Sequence, residues 1–203
     1  MGSALCYPML ATWPERAGAA LYLWFILLWT MFALWSFVFA WQSQYARREP
    51  IRLDFQPWVW AAATLCGVAF AVIAHFWLDP QLRPSAPRDY PQSWGAWLAM
   101  GLFALAFEPL FLCFAPYAFF VRLFRRQELA LALTVSWGIY ILALRLGASP
   151  KLPPMWVVAE LMALRLLSGV GWVYFYLKGG ALLIWWMVLL VHLRFVADLF
   201  STA

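Results

Sequence analysis

GAALYLWFILLWTMFALWSFVFAW, residues 18–41, contains no charged side chain. A spanning helix needs about 20 apolar residues at about 1.5 Å each, so this stretch is long enough to cross a bilayer. The polar residues 42–48 close it. Working outward, residues 57–78 form a second run, opened by Pro57 where the missing N–H does no harm. Residues 94–121 form a third, 129–144 a shorter fourth, 155–177 a fifth and 180–200 a sixth. The runs are continuous rather than alternating, which excludes a membrane β-barrel. As one helix the third run is about 42 Å long, more than a roughly 30 Å hydrocarbon core, and Pro109 and Pro116 are the expected kinks. Between the second and third runs, residues 79–92 read as a hydrophilic loop rich in proline. The chain is therefore expected to be all-α, a polytopic membrane protein with six transmembrane helices.

Composition agrees. Of 203 residues, 66% are hydrophobic and 11% charged, against about 45–50% and about 25% in a typical soluble domain. So little charge cannot cover a water-facing surface, which excludes a soluble enzyme, a disordered tail and a secreted disulfide scaffold. Aromatics reach 20%, with 15 Trp, as suits rings held near lipid headgroups. The net charge of +5 would suggest nucleic acid in a soluble chain. Here the basic residues sit in short clusters between apolar runs, so the positive-inside bias explains them and no nucleic-acid partner is expected. Cys6, Cys66 and Cys113 form no CxxC pair. Near the N-terminus neither a removable signal peptide nor a myristoylation motif is read, since Cys6 stands where the latter needs Ser or Thr.

An even number of spans puts both termini on one side. Arg47, Arg48, Arg52, Arg122, Arg125, Arg126 and Lys178 fall in loops on one face; Arg16, Arg83, Arg88, Arg145 and Lys151 fall on the other. The first group holds the tight clusters, so those loops are expected to be cytoplasmic and the termini outside.

Ionisable groups within a span are costly and usually face the protein interior. Glu108, in AFEPLFLCF, lies near the middle of the third run. It reads either as a general base, acid or proton carrier, or as a neutral carboxyl bonded to a neighbouring helix. His192, in LLVHLRFVADLF, is a candidate interhelical hydrogen-bonder or site residue. Arg194 and Asp198 are four apart and are expected to neutralise each other on one helix face. Glu160 and Arg165 are five apart, about 140° off-face, and so address different neighbours. His75, near the end of the second run, reads as an interfacial residue. No metal is expected, because no three His or carboxylates recur at ligand spacing. The aromatic density leaves contact with hydrophobic pigments (carotenoid or chlorophyll) or lipids open, and any cofactor unknown.

Two pieces of the chain resemble the CPBP family, the CAAX-protease and bacteriocin-processing (Abi) intramembrane proteins. GVGWVYFYLKGGALLIWWMVLLVHLRF, residues 169–195, resembles that family's helix ending in a Tyr-Leu-basic-x-Gly turn, followed by the helix of an H-x-x-x-N motif. FEPLFLCFAPYAFFVRLFRR, residues 107–126, stands where the family has E-E-x-x-x-R and then a basic turn. The resemblance implies a CPBP-like four-helix core over residues 94–203, behind an N-terminal two-helix segment over 1–93. It also implies a bacterial inner membrane as the location.

On this resemblance Glu108 takes the place of the leading glutamate and His192 that of the third motif's histidine, the two catalytic candidates. Several positions depart from the pattern. Pro109 replaces the second glutamate, Cys113 the arginine and Val196 the asparagine, and no histidine occurs in 137–141. Asp198 lies about 120° around the helix from His192 and does not substitute for the asparagine. The family's chemistry needs a base, an orienting group and oxyanion donors converging on one atom. The expectation is a retained fold without proteolysis, working as a binding or scaffolding subunit of a membrane assembly. The rival is an active glutamic-type endopeptidase with a divergent site using Glu108 and His192. A small transporter is disfavoured, since intramembrane polar residues are few and no inverted repeat is visible.

Overall fold

The computed structural model describes residues 2–10, 19–52, 55–148 and 152–201; Arg16, Gly18 and Lys151, used in the span and charge readings, lie outside them. Among the described residues the chain is helical and has no strand. Five helical stretches are long and apolar enough to cross a membrane: Ala19–Ala46, Pro57–Leu82, Trp94–Phe124, Gln127–Gly147 and Met155–Phe200. Such all-round apolar helices bury one stripe against neighbours and offer the rest to lipid. Val38, Val59, Phe114, Tyr117, Tyr176 and Ile184 meet in one core, whereas Phe32, Leu65 and Phe76 face outward.

Helix α1 (Gly2–Leu10) is short and is tied to α2 (Ala19–Phe37) by Trp24 Nε1, which donates to the Ser3 carbonyl at 2.9 Å. The first span does not stop at its polar residues. It widens into a π-helix over Val38–Ala46 and ends where Arg47 turns left-handed at φ 53°. Gln42, expected in a polar linker, is instead buried, because Tyr176 Oη donates to its Oε1. Helix α3 (Pro57–Ile73) likewise continues through a π-helical Ala74–Leu78 into α4 (Asp79–Leu82). The start of the expected hydrophilic loop is thus helical, and Asp79 is buried.

The third run shows what its prolines do. Helix α5 (Trp94–Pro109) starts on the Ser93 hydroxyl, which accepts from the Ala96 N–H at 3.2 Å. A π-helical turn over Leu110–Phe114 then leads into α6 (Ala115–Phe124). In that turn the Ala115 N–H bonds to the Leu110 carbonyl, five residues back. The next donor in register would be residue 116, a proline without an N–H, which leaves the Phe111 carbonyl without its helical partner. Trp137 of α7 (Gln127–Gly147) supplies one: its Nε1 donates to Phe111 O at 3.1 Å. The expected kink is therefore a widened turn braced from the next helix. Trp137→Phe should remove about 1 kcal/mol while keeping the ring, a difference that urea unfolding in detergent would read.

Helix α8 (Met155–His192) contains a break. Gly180 has φ 71° and ψ −168°, a conformation essentially restricted to glycine. At one end of the bundle, Trp77 Nε1 donates to Glu160 Oε2 at 3.0 Å and Arg194 Nε to Asp79 Oδ2 at 3.1 Å. At the other end, Arg48 donates to the Leu177 carbonyl, Arg52 to the Lys178 carbonyl, and the Ala181 N–H to Pro50 O at 2.9 Å. The two arms of α8 thus run in opposite directions, joined at Gly180. The first arm lies on α7, where Gly169 faces Val135, and the second on α3, where Gly67 faces Leu190.

After the second arm comes α9 (Arg194–Ser201). Arg194 and Asp198 do not pair with each other as their spacing suggested. Each reaches across to the segment after α3: Arg194 to Asp79, and Asp198 to Arg83. Helix spacing makes a local pair geometrically possible, but partners from another element gave both side chains a better-packed site.

Candidate functional site

Glu108 is the penultimate residue of α5, just before the widened turn, and is half-buried. Among the described residues its carboxylate makes no direct hydrogen bond or ion pair. It does act electrostatically on two cationic or polar groups from α8: Arg165 on the first arm and His192 at the end of the second. The fold-back at Gly180 is what places both near one carboxylate.

Arg165 is held by backbone. Its Nε donates to the Gly138 carbonyl of α7 at 3.3 Å, and its guanidinium lies 5.8 Å from the Trp172 ring. Gly138 permits this approach, since a Cβ there would sit 3.0 Å from Arg165 Nε and Nη2. Glu160, five residues earlier, meets Trp77 instead, so the two charges of that arm address different helices. In the sequence the motif's arginine position is Cys113, which supplies no positive charge beside Glu108. The positive charge arrives from a different helix. Cys113 itself is fully packed in the core and lies within electrostatic range of Arg165.

His192 is buried at the end of α8. Its Nδ1 lies 3.2 Å from the Val188 carbonyl, its own carbonyl accepts from Trp97 Nε1 at 3.1 Å, and its ring packs edge-on to Phe195. A carbonyl can only accept, so Nδ1 carries the proton and the neutral ring keeps Nε2 as its acceptor. Trp97 thereby fixes the helix end that carries the imidazole.

The structure thus places Arg165 and His192 within electrostatic range of Glu108. At the expected position of a histidine in α7 it places Trp137 and Gly138, whose donor and carbonyl serve Phe111 and Arg165. Val196 has no polar side-chain atom, and Asp198 is occupied by Arg83. A general base works within about 2.6–3.2 Å of the proton it abstracts, or through one water, and among the described residues no side chain hydrogen-bonds Glu108 to orient it. No group of three His, Cys, Asp or Glu side chains that could hold a metal occurs among the described residues. What the arrangement offers is a carboxyl group within electrostatic range of a guanidinium from another helix. His75, read as interfacial, packs edge-on to Phe76, and its Nδ1 is buried without a partner.

Three further polar side chains escaped the sequence reading. Tyr176 donates to Gln42 within the core, and Tyr117, edge-on to Tyr176 at 6.3 Å, has a buried hydroxyl without a hydrogen-bond partner. A polar residue just past an apolar run was the available signal for Gln42. Comparison of the chain with family models, curated proteins and solved structures found no match.

Proposed function

We propose that this chain is a six-span membrane protein with a CPBP-like four-helix core over residues 94–203, and that it works by binding rather than by peptide cleavage. It would serve as a binding or scaffolding subunit of an assembly in a bacterial inner membrane. The observation that carries this reading is the surroundings of Glu108: Arg165 lies within electrostatic range, and among the described residues no side chain hydrogen-bonds it. Loss of one oxyanion donor typically costs about 10²–10³ in rate, and here the orienting and donor positions are vacant together. The outward belt of aromatic and aliphatic side chains provides surface for neighbouring membrane helices or lipids.

The alternative is an active glutamic-type endopeptidase with a divergent site. One observation favours it: Arg165 places a guanidinium within electrostatic range of Glu108. Purification of the full chain after mild solubilisation separates the two. The binding reading expects a membrane protein to copurify in fixed ratio with wild type and with Glu108→Gln alike. A chain that migrates alone, in both forms, contradicts it.

The span count and orientation have their own test. The double-back at Gly180 supports counting the two arms of α8 as separate spans, with Arg125 and Asp89 at opposite ends of the bundle. In a background lacking Cys6, Cys66 and Cys113, a cysteine at position 125 should react only from the cytoplasmic side and one at 89 only from outside. Labelling of both from one side would refute the six-span count, and the reverse pattern would invert the orientation.

A further inference from the structure

Basic residues gather at both ends of the bundle. At the end bearing Asp79 and Asp89, Arg194, Arg83 and Arg145 pair with Asp79, Asp198 and Asp89. At the other end Arg47, Arg48, Arg52 and Lys178 line a cleft of about 560 Å³ together with Glu49 and Gln56. Even with Glu49 and Asp54 counted, this loop and the tip of α8 carry net positive charge.

The cleft is built rather than merely crowded. Arg48 and Arg52 donate to the last carbonyls of the first arm, and the Ala181 N–H to Pro50 fastens the loop to the tip beyond the glycine break. Arg47, left-handed at φ 53°, ends the first span and starts the turn. Arg122 and Arg125 lie over Trp41 and Tyr45 at the same end, adding to the positive field.

Its depth identifies the occupant. Arg47 follows directly on one apolar span and Pro57 opens the next, so the cleft lies where the apolar belt ends. Phe55, Trp58 and Tyr174 are exposed beside it, and Lys178 sits 5.9 Å from the Tyr174 ring. A ligand placed there meets cations at the end of the spans and exposed aromatic side chains next to them. We propose that this cleft binds the phosphate of an anionic phospholipid whose acyl chains lie against Phe55, Trp58 and Tyr174. The inference is independent of the peptidase question and needs only that the chain spans a membrane.

Native mass spectrometry of the detergent-purified full chain, incubated with phosphatidylglycerol or phosphatidylcholine, tests it. The variant Arg47→Asn/Lys178→Gln removes two charges without touching the side chains that hold the α8 carbonyls, and asparagine tolerates the left-handed backbone. Wild type should retain phosphatidylglycerol roughly tenfold better than the double variant, and better than phosphatidylcholine. Lys178→Glu, which leaves the Arg47 turn intact, should show the same loss with unchanged circular dichroism. Equal retention of both lipids, or undiminished phosphatidylglycerol on either variant, overturns the proposal. So does displacement of the lipid by excess inorganic phosphate, which would mark a site for a free anion.

Discussion

Replacing Asp79 by alanine is expected to destabilise the folded chain by about 3–5 kcal/mol, the usual effect of removing one partner of a buried ion pair. Its side chain is 3% exposed and that of Arg194 17%. Asp79 accepts from Arg194 Nε at 3.1 Å and from Tyr90 Oη at 3.1 Å. Alanine would leave a buried guanidinium without its carboxylate and a buried phenol without its acceptor, while also freeing α9 from the end of α3. Asp89→Ala, at an exposed pair with Arg145, is the control and should change stability by about 0–1 kcal/mol. Guanidinium-free unfolding in detergent, followed by tryptophan fluorescence, reads both. Equal effects would mean that the Asp79 network contributes no more than a surface pair.

That network also predicts a pH dependence. Burial, and then the charge and hydrogen bond of Asp79, hold the Tyr90 phenol protonated well above its ordinary range. The folded state therefore binds this proton more tightly than the unfolded chain. The contribution is fully present below about pH 10, the ordinary tyrosine value, and is lost as pH rises beyond it. Tyr90→Phe should flatten the fall in stability on the alkaline side.

Gly180→Val is the second large effect. A side chain at φ 71°, ψ −168° carries about 1–3 kcal/mol of backbone strain. Its Cβ would also lie 3.0 Å from Arg52 N and Pro50 O, backbone atoms that cannot swing aside. Relief requires separating the loop from the α8 tip and breaking the Ala181 N–H to Pro50 bond, and overpacking of this kind adds about 1–3 kcal/mol. Gly171 lies in open space on the first arm, so Gly171→Ala should be neutral or stabilising by roughly 0.5–1 kcal/mol. If Gly180→Val unfolds at the same denaturant concentration as wild type, the reversal in α8 is not held by this glycine.

The apolar runs were legible because a bilayer imposes length and continuity on a helix, and residues 18–41 or 57–78 can satisfy that demand in few other ways. Asp79 was not. A carboxylate after an apolar run followed by proline reads as the start of a loop, and its burial depends on Arg194, which lies 115 residues away in sequence. Gln42 was read only as the start of the polar stretch closing the first run, its partner Tyr176 being distant in sequence. Glu108 and His192 stood out as polar groups in apolar surroundings, whereas Arg165 was read only as addressing a different neighbour from Glu160. Its link to Glu108 required knowing that Gly138 leaves room for a guanidinium and that α8 folds back at Gly180.

The central claim, that the chain binds without cleaving, is met most directly by a turnover assay on purified protein. Wild type and Glu108→Gln, each shown to be folded, are incubated with a panel of membrane-proximal and prenylated peptides, and products are followed by mass spectrometry. The account predicts no cleavage above background by either, since Glu108 has Arg165 and His192 within electrostatic range but, among the described residues, no orienting group hydrogen-bonded to it. Cleavage by wild type that disappears in Glu108→Gln would contradict it and establish the divergent peptidase.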